Sequence, residues 1–240
     1  MPEELGFLTM NVQATAMRPL LGLTVLLVED SRFASEAVRL LCIRSGARIR
    51  RADSLMAARR HLRIYRPSVV IVDLGLPDGS GIELIETLAE QDEAARPVII
   101  ATSGADGDGQ SVAALSAGAN DFLPKPIETV AAFQQAILAQ MPEGMRPIGP
   151  RLVTDEIITP DTLALNEDLS HLDELLRAGD DSLPYVAPFL QGLARLAGDS
   201  KLKSASDGLT NAVAKGTGVP DAILHTREII QSRLANAQLV

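Results

Sequence analysis

The sequence has little of what disulfide-linked, thiolate-metal and membrane architectures require. A single cysteine, Cys42, among 240 residues excludes an internal disulfide framework and a cysteine-based metal cluster. Tryptophan is absent and aromatic residues make up only 3%, so aliphatic side chains must build the core. No apolar run reaches the ~18 residues of a membrane span, and the acidic N-terminus lacks the layout of a signal peptide. We therefore expect a soluble, cytoplasmic protein with no membrane partner.

Positive charge is also in short supply. Lys and Arg together number 22 against 31 Asp and Glu, which gives a formal net charge of −9. An acidic chain repels polyanions, so broad binding to nucleic acid or to anionic membranes is disfavoured. The apolar fraction of 46% is nevertheless large enough for a substantial core.

Short apolar runs alternate with helical patterns over residues 22–140. The run Val69–Val72 has four β-branched residues without alternation, which is typical of a strand buried on both faces in a parallel sheet. Five such runs, each followed by a helical pattern, predict a doubly wound parallel sheet. The last helix is predicted over Pro126–Gln140, with the proline in its first turn. The predicted strands are Thr24–Val28, Ala47–Arg51, Val69–Asp73, Pro97–Thr102 and Asn120–Leu123.

Proline and glycine divide the chain into segments. We predict an N-terminal arm over residues 1–21, an α/β domain over 22–140, a linker over 141–163 and a helical domain over 164–240. Four amphipathic patterns in the last segment predict a small bundle. The fold class is therefore a five-stranded doubly wound parallel sheet followed by an all-α bundle. The predicted bundle helices are Leu165–Ala178, Leu183–Leu196, Asp199–Lys215 and Pro220–Ala237.

Polar side chains follow the predicted strands at the points where they end. Glu29 and Asp30 follow the first strand, Asp73 ends the third, Thr102 ends the fourth, and Lys125 follows the fifth. The carboxyl ends of parallel strands meet at one edge of a sheet, so these groups should converge. Carboxylates without Cys or His favour a hard cation, and Mg²⁺ suits an open site. A lysine can neutralise a phosphoryl oxygen, and an aspartate can accept a phosphoryl group.

Each of these residues also has a purely structural interpretation. Glu29 and Asp30 could cap the first helix, and Asp73 could be a turn residue. Lys125 could be a surface cation beside a proline. Phe122, on the fifth strand, could simply pack in the core. Only the agreement of several positions can separate these interpretations from a functional site.

Several separated positions agree in order, spacing and strand placement with one known family. They are Glu29-Asp30, Asp73 with the turn Leu76-Pro77-Asp78-Gly79, Thr102, Phe122 and Lys125-Pro126. In these positions residues 22–140 resemble the receiver domain of two-component response regulators, which has a flavodoxin-like fold. The resemblance covers roughly half of the chain.

The resemblance implies a role for each of these residues. Asp73 would be the phosphoacceptor, and Glu29, Asp30, Asp73 and the backbone carbonyl of Gly75 would hold Mg²⁺. Thr102 and Lys125 would bind the phosphoryl oxygens. Phe122 would be a switch aromatic coupled to Thr102, and the Lys125–Pro126 peptide bond would be cis.

Partners and activity follow from the same resemblance. The phosphodonor would be a sensor histidine kinase or a histidine phosphotransfer protein, and a second copy of the chain is a further candidate partner. A receiver promotes its own phosphorylation and dephosphorylation, so we do not expect a conventional enzyme. Two positions that tune dephosphorylation in the family are glycines here, Gly75 and Gly104, and neither can position or block a water with a side chain.

The output of the helical segment is open between three alternatives. Residues 164–240 carry seven basic and ten acidic side chains, which disfavours DNA binding because phosphate contacts dominate DNA affinity. Neither His171 nor His225 has the His-x-x-Lys arrangement of a phosphotransfer domain, so we interpret both as helix-surface residues. We expect protein binding or dimerisation, with an atypical DNA-binding transcriptional regulator and a phosphorelay intermediate as the alternatives.

Overall fold

The computed structural model of the protein describes residues 14–104, 108–127, 129–147, 156–179 and 182–237. Most of the predicted N-terminal arm and residues 148–155 of the predicted linker lie outside this part of the chain. Residues 105–107, between the fourth predicted strand and its helix, also lie outside it. Within the described ranges, no helix combines the length and the apolar character that crossing a membrane requires.

Five parallel strands form one sheet in the order β2-β1-β3-β6-β7, which confirms the predicted doubly wound architecture. β3 is buried along its whole length because strands flank both of its edges and helices cover both faces. The turn after β3 holds a short antiparallel ribbon, β4 (Gly75–Leu76) with β5 (Gly79–Ser80), which the sequence did not predict. The sheet strands are β1 (Thr24–Val28), β2 (Arg48–Ala52), β3 (Val69–Asp73), β6 (Val98–Ser103) and β7 (Asp121–Pro124).

Helices cover the two faces of the sheet because successive strand residues point to opposite sides. One face packs against α1 and α5, and the other against α2, α3 and α4. This division leaves the carboxyl ends of the strands at one edge, framed by the loops that lead into the helices. The helices are α1 (Arg32–Ser45), α2 (Leu55–Ile64), α3 (Gly81–Ala89), α4 (Asp108–Ser116) and α5 (Val130–Gln140).

The start of α5 differs from the prediction. The helix begins at Val130 rather than Pro126, and Thr129 caps it by accepting a hydrogen bond from the N–H of Ala132 at 3.1 Å. Thr129 has an extended backbone and forms an isolated antiparallel bridge with Ile157, so the helix cannot start earlier. Pro126 is outside the helix, and its peptide bond with Lys125 is cis, as the resemblance implies.

The second half of the described chain is helical, as predicted. Here it is called the helical region, residues 162–237. Its four helices enclose a core of leucine, valine, alanine and isoleucine. The first of them begins three residues earlier than the pattern predicted because the Asp161 carboxylate accepts a hydrogen bond from the N–H of Leu163. The helices are α6 (Thr162–Ala178), α7 (Leu183–Leu196), α8 (Ser200–Lys215) and α9 (Val219–Ala237).

A buried carboxylate ties α6 to α9. Asp173 is 5% exposed and accepts hydrogen bonds from the Arg227 guanidinium at 2.8 Å and from the Arg177 guanidinium at 2.5 Å. The Arg227 and Arg177 side chains are 24% and 58% exposed, so water can solvate them once the carboxylate is gone. The loss is then that of the charge-assisted hydrogen bonds, and Asp173→Ala should lower the free energy of unfolding by about 2 kcal/mol. Urea denaturation followed by circular dichroism measures this loss. The exposed neighbour Glu174 provides the control, and equal midpoints for Asp173→Ala and Glu174→Ala would contradict the expectation.

Candidate functional site

The predicted site residues meet at the carboxyl edge of the sheet. Asp73 ends β3 and lies in register with Thr102 on the neighbouring strand β6. Glu29 and Asp30 directly follow β1, which pairs with the other edge of β3. The topology thus brings residues from three strands together, as the strand-end argument predicted.

Three carboxylates form a compact cluster at this edge. Oxygen atoms of Glu29, Asp30 and Asp73 all lie within 4.8 Å of one another. Glu29 and Asp73 are buried, and Asp30 is half-buried. An all-oxygen donor set with this spacing fits a hard divalent cation such as Mg²⁺, which binds through a few carboxylates and completes its shell with water.

Lys125 bridges two of these carboxylates. Its Nζ lies 2.5 Å from Glu29 Oε2 and 2.8 Å from Asp73 Oδ2. Burial raises the pKa of Glu29, and Lys125 opposes that rise. Burial lowers the pKa of Lys125, but Glu29 and Asp73 outweigh it and raise the pKa above its ordinary value, so the lysine stays charged. The site therefore holds a fixed positive charge against the Asp73 carboxylate.

Thr102 contributes an unused hydroxyl. The residue is 1% exposed, and its Oγ1 has no hydrogen-bond partner among the described residues. Buried polar atoms are normally paired, so this hydroxyl is suited to an oxygen that arrives with a substrate. Phe122 is half-buried and packs against the core on the α2–α4 side of the sheet. Gly75 lies beside the cluster, and its N–H donates to Asp73 Oδ1 at 3.4 Å.

Asp78 is not one of the clustered carboxylates and has a structural role. Its two carboxylate oxygens accept hydrogen bonds from the N–H groups of Leu55 and Met56, at 2.8 and 2.9 Å. These are two of the unpaired donors at the N-terminus of α2. The sequence suggested a turn residue, and the structure adds that this turn caps a helix more than 20 residues away.

Residues of the helical region also reach the site, and the sequence gave no signal for them. The Tyr185 hydroxyl on α7 donates to Asp30 Oδ2 at 2.5 Å. Burial is the largest effect on the pKa of Asp30 and raises it to about 6, while the Tyr185 hydrogen bond opposes the rise. Tyr185 is 155 residues from Asp30 in the chain, so no local pattern could have linked them.

α7 covers the site on one side. A cavity of about 440 Å³ lies between α7 and the strand ends. Its polar wall is formed by Asp73, Thr102 and Lys125, and its apolar wall by side chains of α7 that include Pro188 and Phe189. The Asp73 carboxylate therefore faces a partly covered chamber, and the helical region forms one wall of it.

A doubly wound sheet with three carboxylates, a bridging lysine and a buried threonine at its carboxyl edge defines a receiver-type domain. Residues 25–137 match the family described as the response regulator receiver domain, and this part of the chain is a receiver domain of that family. The predicted resemblance is thereby confirmed.

Curated relatives match the same kind of domain. The KDP operon transcriptional regulatory protein KdpE of Escherichia coli is 37% identical over 102 residues, which cover 42% of this chain and 44% of KdpE. The virulence transcriptional regulatory protein PhoP of Salmonella typhimurium is 35% identical over 116 residues, 48% of this chain and 51% of PhoP. The chain thus spans about half of the length of these relatives.

Among solved structures, the chain is similar to the receiver domain of a sensor histidine kinase from Pseudomonas aeruginosa, which has a magnesium ion coordinated in its active site cleft. The two are 26% identical with a TM-score of 0.45, and the match covers 49% of this chain and 96% of that one.

Proposed function

We propose that the chain is a two-component response regulator in which Asp73 accepts a phosphoryl group from the phosphohistidine of a sensor kinase or phosphotransfer protein. One observation carries the proposal: the Asp73 carboxylate lies beside an acidic pair, a bridging lysine and a buried hydroxyl that has no hydrogen-bond partner in the described part of the chain. Positioned charges and donors are the main requirement of phosphoryl transfer.

In the proposed reaction an Asp73 carboxylate oxygen forms a bond to phosphorus as the bond from phosphorus to the donor breaks. The electron pair of that bond leaves with the imidazole nitrogen, which takes a proton from solvent. Lys125 and the Thr102 hydroxyl bind two of the phosphoryl oxygens. Glu29, Asp30, Asp73 and the Gly75 carbonyl would hold Mg²⁺, which would supply positive charge to the oxygens of the transferring group. The domain would act on its own side chain and not turn over a separate substrate.

The output that we propose is a change in the interactions of the helical region, through protein binding or dimerisation. Support comes from the position of α7, which lines the cavity over the Asp73 carboxylate and donates a hydrogen bond to Asp30. A second candidate output is DNA binding, because the curated relatives are named transcriptional regulatory proteins. Salt-dependent retention of the phosphorylated chain on DNA would favour the second output, and phosphorylation-dependent self-association without retention would favour the first.

The acceptor can be tested by intact-mass spectrometry after incubation with acetyl phosphate and MgCl₂. We expect the wild type to gain the mass of one phosphoryl group and Asp73→Asn to gain none, because the amide cannot form an acyl phosphate. Asp92→Asn, at an exposed position away from the cluster, is the matched control and should be labelled like the wild type. Equal labelling of Asp73→Asn and wild type, or no labelling of the wild type, would refute the assignment.

A further inference from the structure

The helical region is fastened to the receiver domain at the loop that carries the acidic pair. The Asp168 carboxylate on α6 is 4% exposed and accepts hydrogen bonds from three donors at the start of α1. These are the Ser31 hydroxyl at 2.7 Å and the N–H groups of Arg32 and Phe33 at 2.9 and 3.0 Å. Asp168 thus pairs with donors that α1 itself leaves unpaired. The first of these donors, the Ser31 hydroxyl, is on the residue that follows Asp30 in the chain.

An apolar anchor reinforces this contact. Phe33 belongs to α1 of the receiver domain but is 4% exposed because it lies in the core of the helical region, with Leu169, Leu172 and Val186. At the rim, the Arg32 guanidinium pairs with Glu167 at 2.8 Å. The contact between the receiver domain and the helical region therefore has a buried apolar centre and a charged rim.

The loop after β6 is shaped for the approach of α7. A Cβ atom on Gly104 would lie 3.3 Å from the Cα of Gly192 on α7, which is closer than most carbon contacts. The Arg195 guanidinium on the same helix donates to the Gly104 carbonyl at 2.9 Å. The family resemblance places a residue that tunes dephosphorylation at position 104. The glycine found there lets the backbone of α7 approach the loop closely.

The contacts of Asp168, Phe33 and Gly104 hold the helical region where the Tyr185 hydroxyl donates a hydrogen bond to Asp30. We propose that the helical region is a lid in which Tyr185 and the divalent cation compete for the Asp30 carboxylate, so that metal binding and lid closure oppose each other. This inference rests on the proposed function, since it takes Glu29, Asp30 and Asp73 as the cation site. It adds Tyr185 and Asp168 as positioning residues that no receiver motif contains.

The physical basis is the limited capacity of one carboxylate. Asp30 Oδ1 already accepts the Ser31 N–H at 3.0 Å, and Oδ2 accepts the Tyr185 hydroxyl. Mg²⁺ demands near-octahedral geometry and short contacts to oxygen. The Tyr185 hydroxyl proton and the cation draw on the same electron density of Oδ2, so the hydrogen bond weakens that oxygen as a ligand and the α7 side chain occupies space next to it. Linkage is reciprocal: if closure weakens cation binding, the cation weakens closure by the same factor.

Isothermal titration calorimetry of the full chain with MgCl₂ alone tests the lid. Tyr185→Phe keeps the ring and removes the hydroxyl. It should tighten Mg²⁺ binding by about tenfold, because the cation no longer competes with one hydrogen bond to a charged acceptor. Tyr65→Phe is the matched control, because Tyr65 is the other tyrosine of the chain and its hydroxyl has no partner among the described residues. It should bind Mg²⁺ like the wild type.

A second variant separates the lid from a local effect at Tyr185. Asp168→Asn weakens the fastening at α1 and leaves both partners of the Tyr185–Asp30 hydrogen bond in the chain, and it should also tighten Mg²⁺ binding. Mg²⁺ affinities of Tyr185→Phe and Asp168→Asn that equal the wild-type value, or are weaker, would overturn the lid. Because the titration contains no phosphodonor, a chain that fails to take up phosphate at Asp73 would refute the proposed function and leave the calorimetric result to decide the lid.

Discussion

A Lys125→Met variant is expected to lose about 3 kcal/mol of unfolding free energy in EDTA and to regain most of it in MgCl₂. The Lys125 side chain is 16% exposed, and its partners Glu29 and Asp73 have side chains that are 2% and 11% exposed. Without the lysine, buried carboxylates face one another with no counter-charge. A divalent cation held by the same oxygens would replace the missing charge.

Thermal denaturation with and without MgCl₂ measures this effect, and the loss in EDTA corresponds to roughly 10 °C in midpoint for a chain of this size. Lys201→Met, at an exposed position on α8, is the control and should shift neither midpoint. If MgCl₂ raises the midpoint of Lys125→Met no more than it raises that of the wild type, the cation does not replace the lysine charge, and the expectation is contradicted.

Replacing Phe33 with alanine should detach the helical region from the receiver domain. Truncation of a buried phenylalanine costs about 3–4 kcal/mol, and here most of the lost contacts cross between the two parts of the chain. The hydrogen bonds of Asp168 would then lie at an interface open to water, where each contributes less. The two parts should separate while each keeps its own core.

Small-angle X-ray scattering of the full chain measures the separation as an increase in the radius of gyration. Hydrogen exchange should also accelerate at the N–H groups of Arg32 and Phe33, which lose the Asp168 carboxylate. Phe33→Leu retains an apolar side chain of similar reach and serves as the matched variant, with a scattering curve like that of the wild type. A compact Phe33→Ala chain would show that the remaining contacts suffice for closure.

The sheet and the cluster of polar side chains at its carboxyl edge were predictable because both depend on local patterns. Buried parallel strands have uninterrupted β-branched runs, as in Val69–Val72, and the carboxyl ends of such strands converge whatever the loops do. Asp73, Thr102 and Lys125 could therefore be brought together from strand ends alone. The predicted start of α5 at Pro126 was wrong. A proline is common both in the first turn of a helix and after a cis peptide bond, and the sequence pattern alone does not distinguish these two positions.

The lid contacts were not predictable for a physical reason. Asp168 and Tyr185 lie in amphipathic helices where a polar residue is expected on the solvent face, and their partners are 137 and 155 residues away. The periodic pattern of apolar residues in a helix does not show that one of its polar residues will be buried against another domain.

If Asp73 is the acceptor, as proposed, the cavity of about 440 Å³ over its carboxylate bears on which phosphodonors can reach it. A small acyl phosphate could occupy such a chamber while the helical region stays in place, whereas a phosphohistidine on a protein would have to approach Asp73 past the side that α7 covers. The rate from a protein donor would then scale with the fraction of open molecules. A small acyl phosphate would then react with the closed conformation of the chain, and a protein phosphodonor would react with the open one.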